Sequence, residues 1–194
     1  MCYVKLKFKG LSQILGSDNL VLAVLVDEAE KRQLVIPCDR HQAYQLRLRM
    51  DPNMIQERRK LLPEVLAELM PLSFAADYRL EIYALHEGKY LSCLRNTETG
   101  EKVDIRCTDG ILLSLVTGIQ IFVDFKLMTL QSAEYNSNFT QMAVPVNVVT
   151  DKMLEESLRI AIENENYEMA SSLRDELKKR HPEGGKPGNQ LKTD

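Results

Sequence analysis

Residues 103–123 read VDIRCTDGILLSLVTGIQIFV, and this order predicts strand, helix and strand within one short stretch. Val103, Ile105 and Cys107 alternate with Asp104 and Arg106, so the two sets face opposite sides of a strand. Thr108 is a candidate N-cap, and Asp109 suits the positive end of a helix. Gly118 is a natural stop, which predicts a helix over 109–117. Ile119 to Val123 then resumes an apolar strand.

Working outward, residues 79–86, 89–95 and 101–107 read as a three-strand meander, with turns at Glu87-Gly88 and Thr99-Gly100. Residues 2–8, 20–27 and 32–38 are Val-, Ile- and Leu-rich and read as strands, with a polar turn from Asp27 to Lys31. A helix is predicted over 39–50, capped by Asp39, with Ala43, Leu46 and Met50 inward. Asp51-Pro52-Asn53 stops it. A second helix over 55–71 carries Leu61, Leu62, Val65, Leu66 and Leu69. Pro63 conflicts with its interior, so a restart at Leu62 is expected, with Pro63 in the first turn. Leu34–Asp39 and Val103–Thr108 echo one another as strand-into-helix units with a cysteine at the strand end.

Near the C-terminus, residues 153–180 read MLEESLRIAIENENYEMASSLRDELKKR. Leu154, Leu158, Ala161 and Ile162 recur at helical spacing, and so do Tyr167, Ala170, Leu173 and Leu177 after an Asn/Glu break. Two helices this short are marginal alone and need a surface to bury their apolar stripe. The expected fold is α+β: a mixed sheet with helices in one domain over 1–130, a Ser/Asn/Gln-rich linker over 131–150, an α-helical hairpin over 151–181 and a tail over 182–194.

Composition excludes several classes. The formal charge is −3 over 194 residues. Residues 1–150 carry a balance of −1 and residues 151–194 a balance of −2, so neither part binds polyanions through bulk charge. No apolar run is long enough to span a bilayer, and no secretory leader pattern opens the chain. Cys2, Cys38, Cys93 and Cys107 are scattered without a CxxC pair. They read as reduced thiols of a cytoplasmic protein.

The densest polar constellation is Asp104, Arg106, Thr108 and Asp109. Two carboxylates and a guanidinium at a strand–helix junction suit a divalent metal and a phosphate. The plain alternative is a surface ion pair between Asp104 and Arg106, with Asp109 merely offsetting the helix dipole. Arg47, Arg49, Arg58, Arg59 and Lys60 flank the Asp51-Pro52 break and form the basic cluster best placed for phosphates. The alternative for them is a solvated helix end.

Asp104-Ile-Arg106-Cys-Thr108-Asp109-Gly110, followed by Gly118-Ile-Gln-Ile121-Phe122-Val123, resembles the hallmark segment of the bifunctional nuclease domain family. Arg32-Gln-Leu34-Val-Ile36 through Gln42-Ala43 resembles that family's upstream segment. The resemblance implies a nuclease acting on RNA and DNA, with Asp104, Arg106 and Asp109 catalytic. It also supports Asp104 and Asp109 as ligands of Mg or Mn, and for such a substrate the basic cluster offers Arg47, Arg49, Arg58 and Arg59 as its nucleic-acid contacts. Gln42 stands where the family has glutamate, Glu64 where it has aspartate, and a threonine and a histidine are missing near Leu61-Leu62. These departures favour a second reading, an interaction or regulatory module. Asn166-Tyr167-Glu168-x-Ala170 and Leu173-Arg174-Asp175-Glu176 resemble the UVR (UvrB/UvrC) motif. That implies a protein partner, or a second copy, docked on Leu154, Leu158, Ile162, Tyr167, Leu173 and Leu177.

Overall fold

The structure is a computed structural model that describes residues 2–13, 21–135, 155, 158–159, 161–163, 165 and 167–180. The chain divides into two compact units, Met1–Thr150 and Asp151–Asp194.

In the first unit, β1 (Tyr3–Gln13), β2 (Val21–Asp27) and β3 (Arg32–Cys38) come first. Next are α1 (Arg40–Met50), a 3₁₀ turn at Pro52–Met54, α2 (Ile55–Arg58), α3 (Leu62–Leu69) and α4 (Phe74–Asp77). The meander is β4 (Tyr78–His86), β5 (Lys89–Asn96) and β6 (Lys102–Arg106). It is followed by α5 (Cys107–Thr117), β7 (Gln120–Asp124), α6 (Phe125–Gln131) and the two-residue β8 (Ala133–Glu134). One eight-stranded sheet runs β6-β5-β4-β7-β1-β2-β3-β8. Every pairing is antiparallel except β4 with β7. A parallel neighbour needs a crossover, and β5, β6 and α5 supply it. The fold is therefore α+β with a mixed sheet.

Local chemistry accounts for most of these elements. Val21 to Val26 is an unbroken apolar run, and all six residues are buried, as expected for a central strand. Asp39 caps α1 in a capping box: its carboxylate accepts from the Gln42 N–H, and the Gln42 side chain accepts from the Asp39 N–H. Glu87 and Gly88 have φ of 48° and 70°, the left-handed pair that a tight hairpin turn requires. Gly118 ends α5 at φ 81°. Leu80, Ile82, Ile111, Ile121 and Val123 form the core between α5 and the sheet, with Ala43 and Leu46 of α1 beside them.

Several expectations need correction. The predicted 55–71 helix is broken, and α3 begins at Leu62 with Pro63 in its first turn. Its apolar residues point outward in part, with Leu62 69% and Leu69 77% exposed. Met50 is exposed rather than inward. Helix α5 starts at Cys107 with Arg106 as N-cap and without a side-chain cap. Thr108 is instead buried in the first turn. Residues 124–130, given no element from sequence, begin α6, because Asp124 caps it by accepting from the Lys126 and Leu127 N–H groups. Gln33 and Arg32 of β3 pair with Ala133 and Glu134. The folded domain therefore extends past residue 130 to at least Tyr135, and residues 136–150 of the expected linker lie outside the described residues.

In the second unit, residues 155, 158–159 and 161–163 are helical, and α7 covers Tyr167–Arg180. Glu165 between them has φ 56°. Ala161 and Ala170 are buried; Leu158, Leu173 and Leu177 are half-buried; Ile162 and Tyr167 are exposed. Leu154 and the tail after 180 lie outside the described residues. Among the described residues, no helix is long and apolar enough to cross a membrane.

Candidate functional site

Register and alternation divide β4, β5 and β6 into two faces. Leu80, Ile82, Tyr90, Leu94 and Ile105 pack in the core beneath α5. On the opposite face Glu81, Cys93 and Asp104 lie in one cross-strand row. Arg79, Arg95 and Lys102 form the next row. Arg106 is two residues along from Asp104, which puts it on the same face about 6.7 Å away along the strand.

Asp104 and Arg106 are both exposed on β6, the edge strand. Arg106 Nε and Nη2 each donate to Asp109 Oδ2 at 2.8 Å. Arg106 thus ties the strand end to the first turn of α5. Asp104 makes no hydrogen bond or ion pair among the described residues. No side chain caps α5, and Cys107, Thr108 and Gly110 of its first turn are buried, so the exposed groups at the junction are the side chains of Asp104 and Arg106.

The junction offers two carboxylates, Asp104 and Asp109, toward a divalent ion. Among the described residues, no group of three or more His, Cys, Asp or Glu side chains gathers to hold a metal. Asp109 already gives one oxygen to Arg106. Mg and Mn take oxygen ligands in near-octahedral geometry, commonly one or two carboxylates completed by water and substrate phosphate, so Asp104 and Asp109 would be the residues to hold such an ion.

The basic cluster separates. The Arg49 side chain is only 1% exposed. Its Nη2 donates to Glu64 Oε2 at 2.6 Å, and its Nη1 to the Gln45 side chain at 2.6 Å. Arg58 donates to the Arg49 carbonyl at 3.0 Å. These two arginines pin α1 to the α2–α3 segment. Arg47 and Arg59 are exposed. Glu64 is thereby committed to a structural pair, and Gln42 to the α1 cap.

A second polar constellation was not anticipated. Glu81 is 1% exposed on the face away from α5. It accepts from Arg79 Nε at 2.8 Å, Arg95 Nε at 2.8 Å and Tyr3 Oη at 3.0 Å. The Arg79 guanidinium also lies 5.1 Å from the ring centres of both Tyr3 and Phe122, within cation–π range. Burial works to raise the Glu81 carboxyl. Hydrogen bonds from Arg95, Arg79 and Tyr3 outweigh it and hold the group below the ordinary carboxylate range. Burial, then the Glu81 carboxylate, pushes the Tyr3 phenol up. Nothing local in the sequence marks Glu81. Its alternation with Leu80 and Ile82 predicts only a solvent-facing position.

Tyr83 was also missed. A bulge between Ile82 and Ala84 sets it on this face, 40% exposed and within electrostatic reach of Asp104 and Cys93. Bulges commonly re-aim a side chain beside a site. The thiols take no part in the surface. Cys38, Cys93 and Cys107 are buried and free, and Cys2 is exposed. Burial pushes Cys38 up to about 12 and raises Cys107 further, far from a reactive thiolate.

With the strand–helix junction and its sheet in place, the comparison with known families is decisive at one level. Residues 23–136 match the bifunctional nuclease domain. The chain belongs to the bifunctional nuclease domain family. The match spans the sheet from β2 to β8 and the whole β6–α5 junction, and ends before the C-terminal helices. No curated protein matches the chain.

Proposed function

We propose that this protein acts on RNA or DNA phosphodiesters at the β6–α5 junction. One observation supports this above the others: an unpaired carboxylate, Asp104, and a pinned guanidinium, Arg106, share one exposed strand face beside the uncapped start of α5. In the proposed reaction a phosphate sits against Arg106. Asp104 takes a proton from the attacking water as the new O–P bond forms. The ester P–O bond breaks, and the leaving oxygen takes its proton from solvent. Asp109 positions Arg106. No step is assigned to Mg or Mn; whether a divalent ion serves is read directly by titration in the assay below.

Gln42 in the capping box and Glu64 on Arg49 favour a second reading, a binding or regulatory module without turnover. In both readings the 151–181 segment is a UVR-type helical hairpin that docks a protein partner or a second copy, using Leu158, Ile162, Tyr167, Leu173 and Leu177. The reduced thiols suit a cytoplasmic setting. The discriminating experiment is cleavage of labelled RNA and DNA by the purified chain, with and without Mg or Mn, beside Asp104→Ala/Asp109→Ala. Cleavage that the double variant loses supports the nuclease. Binding without cleavage by either protein selects the second reading.

A further inference from the structure

The face of β4–β6 turned away from α5 is strongly biased in charge. Arg79, Lys89, Arg95, Lys102 and Arg106 lie on it, against two carboxylates, Glu81 and Asp104. With Asp109, the partner of Arg106, counted as well, a local excess of two positive charges stands in a chain whose formal charge is −3. In the middle of this field the bulge raises Tyr83, 40% exposed. The groups beneath it are fixed: Cys93 and Glu81 are buried, and Glu81 holds Arg79 and Arg95 in place.

An aromatic ring on a cationic sheet face suits nucleobases splayed from a single strand. Each base offers a π-face, and the backbone phosphates meet the surrounding Lys and Arg. A duplex keeps its bases stacked inside and cannot offer them to Tyr83.

We propose that this face binds single-stranded nucleic acid, with Tyr83 as the stacking platform and Lys102 and Arg106 on phosphate. The inference deepens the function proposed above by naming the strand state and the surface. The register puts Asp104 in the row of Glu81 and Arg106 in the row of Ala84 and Leu91, either side of the bulged Tyr83, so a base stacked there lays its own phosphate along the edge strand toward Arg106. The Arg47 and Arg59 surface is then not the main binding site.

The test is fluorescence anisotropy with a labelled oligopyrimidine single strand and a matched duplex, in EDTA, using the full chain. Tyr83→Ala is expected to weaken single-strand binding about tenfold or more, and Tyr83→Phe to keep it within about twofold. Lys102→Ala should reduce the salt slope by about 0.7. The chain has no Trp, so Tyr83→Trp introduces a lone indole whose emission should be quenched by the single strand and not by the duplex. This readout does not depend on Tyr83→Ala folding.

Unaltered binding in Tyr83→Ala with no quenching in Tyr83→Trp overturns the inference. So does loss of binding in Arg47→Glu/Arg59→Glu but not in the sheet-face variants, or a change of oligomeric state in Tyr83→Ala, which would make the face a contact between copies. Cleavage by the wild type with Tyr83-independent binding overturns this inference alone. Tyr83-dependent binding without cleavage overturns the nuclease alone.

Discussion

Replacing Glu81 by Gln should destabilise the first unit without altering its shape. The carboxylate is 1% exposed and receives hydrogen bonds from two guanidiniums and a phenol. Removing one partner of a fully buried ion pair costs about 3–5 kcal/mol. Two features reduce that here. Arg79 and Arg95 retain 29% and 22% side-chain exposure, so water partly compensates them, and Gln keeps one acceptor oxygen. The expected loss is about 2–4 kcal/mol, or roughly 5–15 °C in Tm. Urea unfolding followed by circular dichroism measures it, since the chain has no Trp. The pH dependence has a defined sign. The folded Glu81 lies below its ordinary value, so its contribution is complete above the ordinary carboxylate range. It is lost as pH falls through the lowered value. The gap between wild type and Glu81→Gln should be wide at neutral pH and close in acid. A gap below about 0.5 kcal/mol at pH 7, on the scale of ordinary surface changes, refutes the reasoning.

Three further outcomes follow from the packing. A Cβ on Gly110 would lie 2.5 Å from Leu80 Cδ1, and Leu80 is fully buried. Gly110→Ala should therefore lose about 1 kcal/mol, overpacking outweighing the gain in helix propensity; denaturant titration shows it, and Leu80→Val should relieve it. Asp39→Ala should cost about 1 kcal/mol through the lost cap, whereas Gln42→Glu, which keeps the capping box, should leave both stability and turnover unchanged in the same titration and a cleavage assay. With a thiol reagent near neutral pH, only Cys2 should react rapidly in the folded chain, and Cys38, Cys93 and Cys107 should appear on unfolding; a second fast thiol would contradict their burial.

The sequence made the frame legible wherever a short-range rule governs. Val21–Val26 reads as a buried strand because nothing polar interrupts it. Asp39, Gly118 and Glu87-Gly88 act within a few residues of themselves. What escaped depends on distant parts of the chain. Glu81 is buried only because β5 brings Arg95 and β1 brings Tyr3 onto it. Arg49 looks like one more surface cation until α3 delivers Glu64. Tyr83 faces its neighbours through a bulge that alternation alone does not reveal. Thr108 matches a capping residue by type, but α5 starts one residue before it, so the hydroxyl turns inward. Of the candidate site, Arg106 pairs with Asp109 across the strand–helix junction rather than with Asp104 on its own strand, while the arginine cluster is divided between structural pairs and the exposed Arg47 and Arg59.

The most direct measurement is single-turnover cleavage of a labelled RNA and a labelled DNA oligonucleotide by the wild type, Asp104→Asn and Arg106→Ala. All three should fold alike, because both side chains are exposed. The account predicts cleavage by the wild type and a loss of about a hundredfold or more in each variant, the scale of a positioned proton acceptor or charge donor. Wild-type cleavage that both variants retain would contradict it, as would a purified chain that binds oligonucleotides and cleaves none.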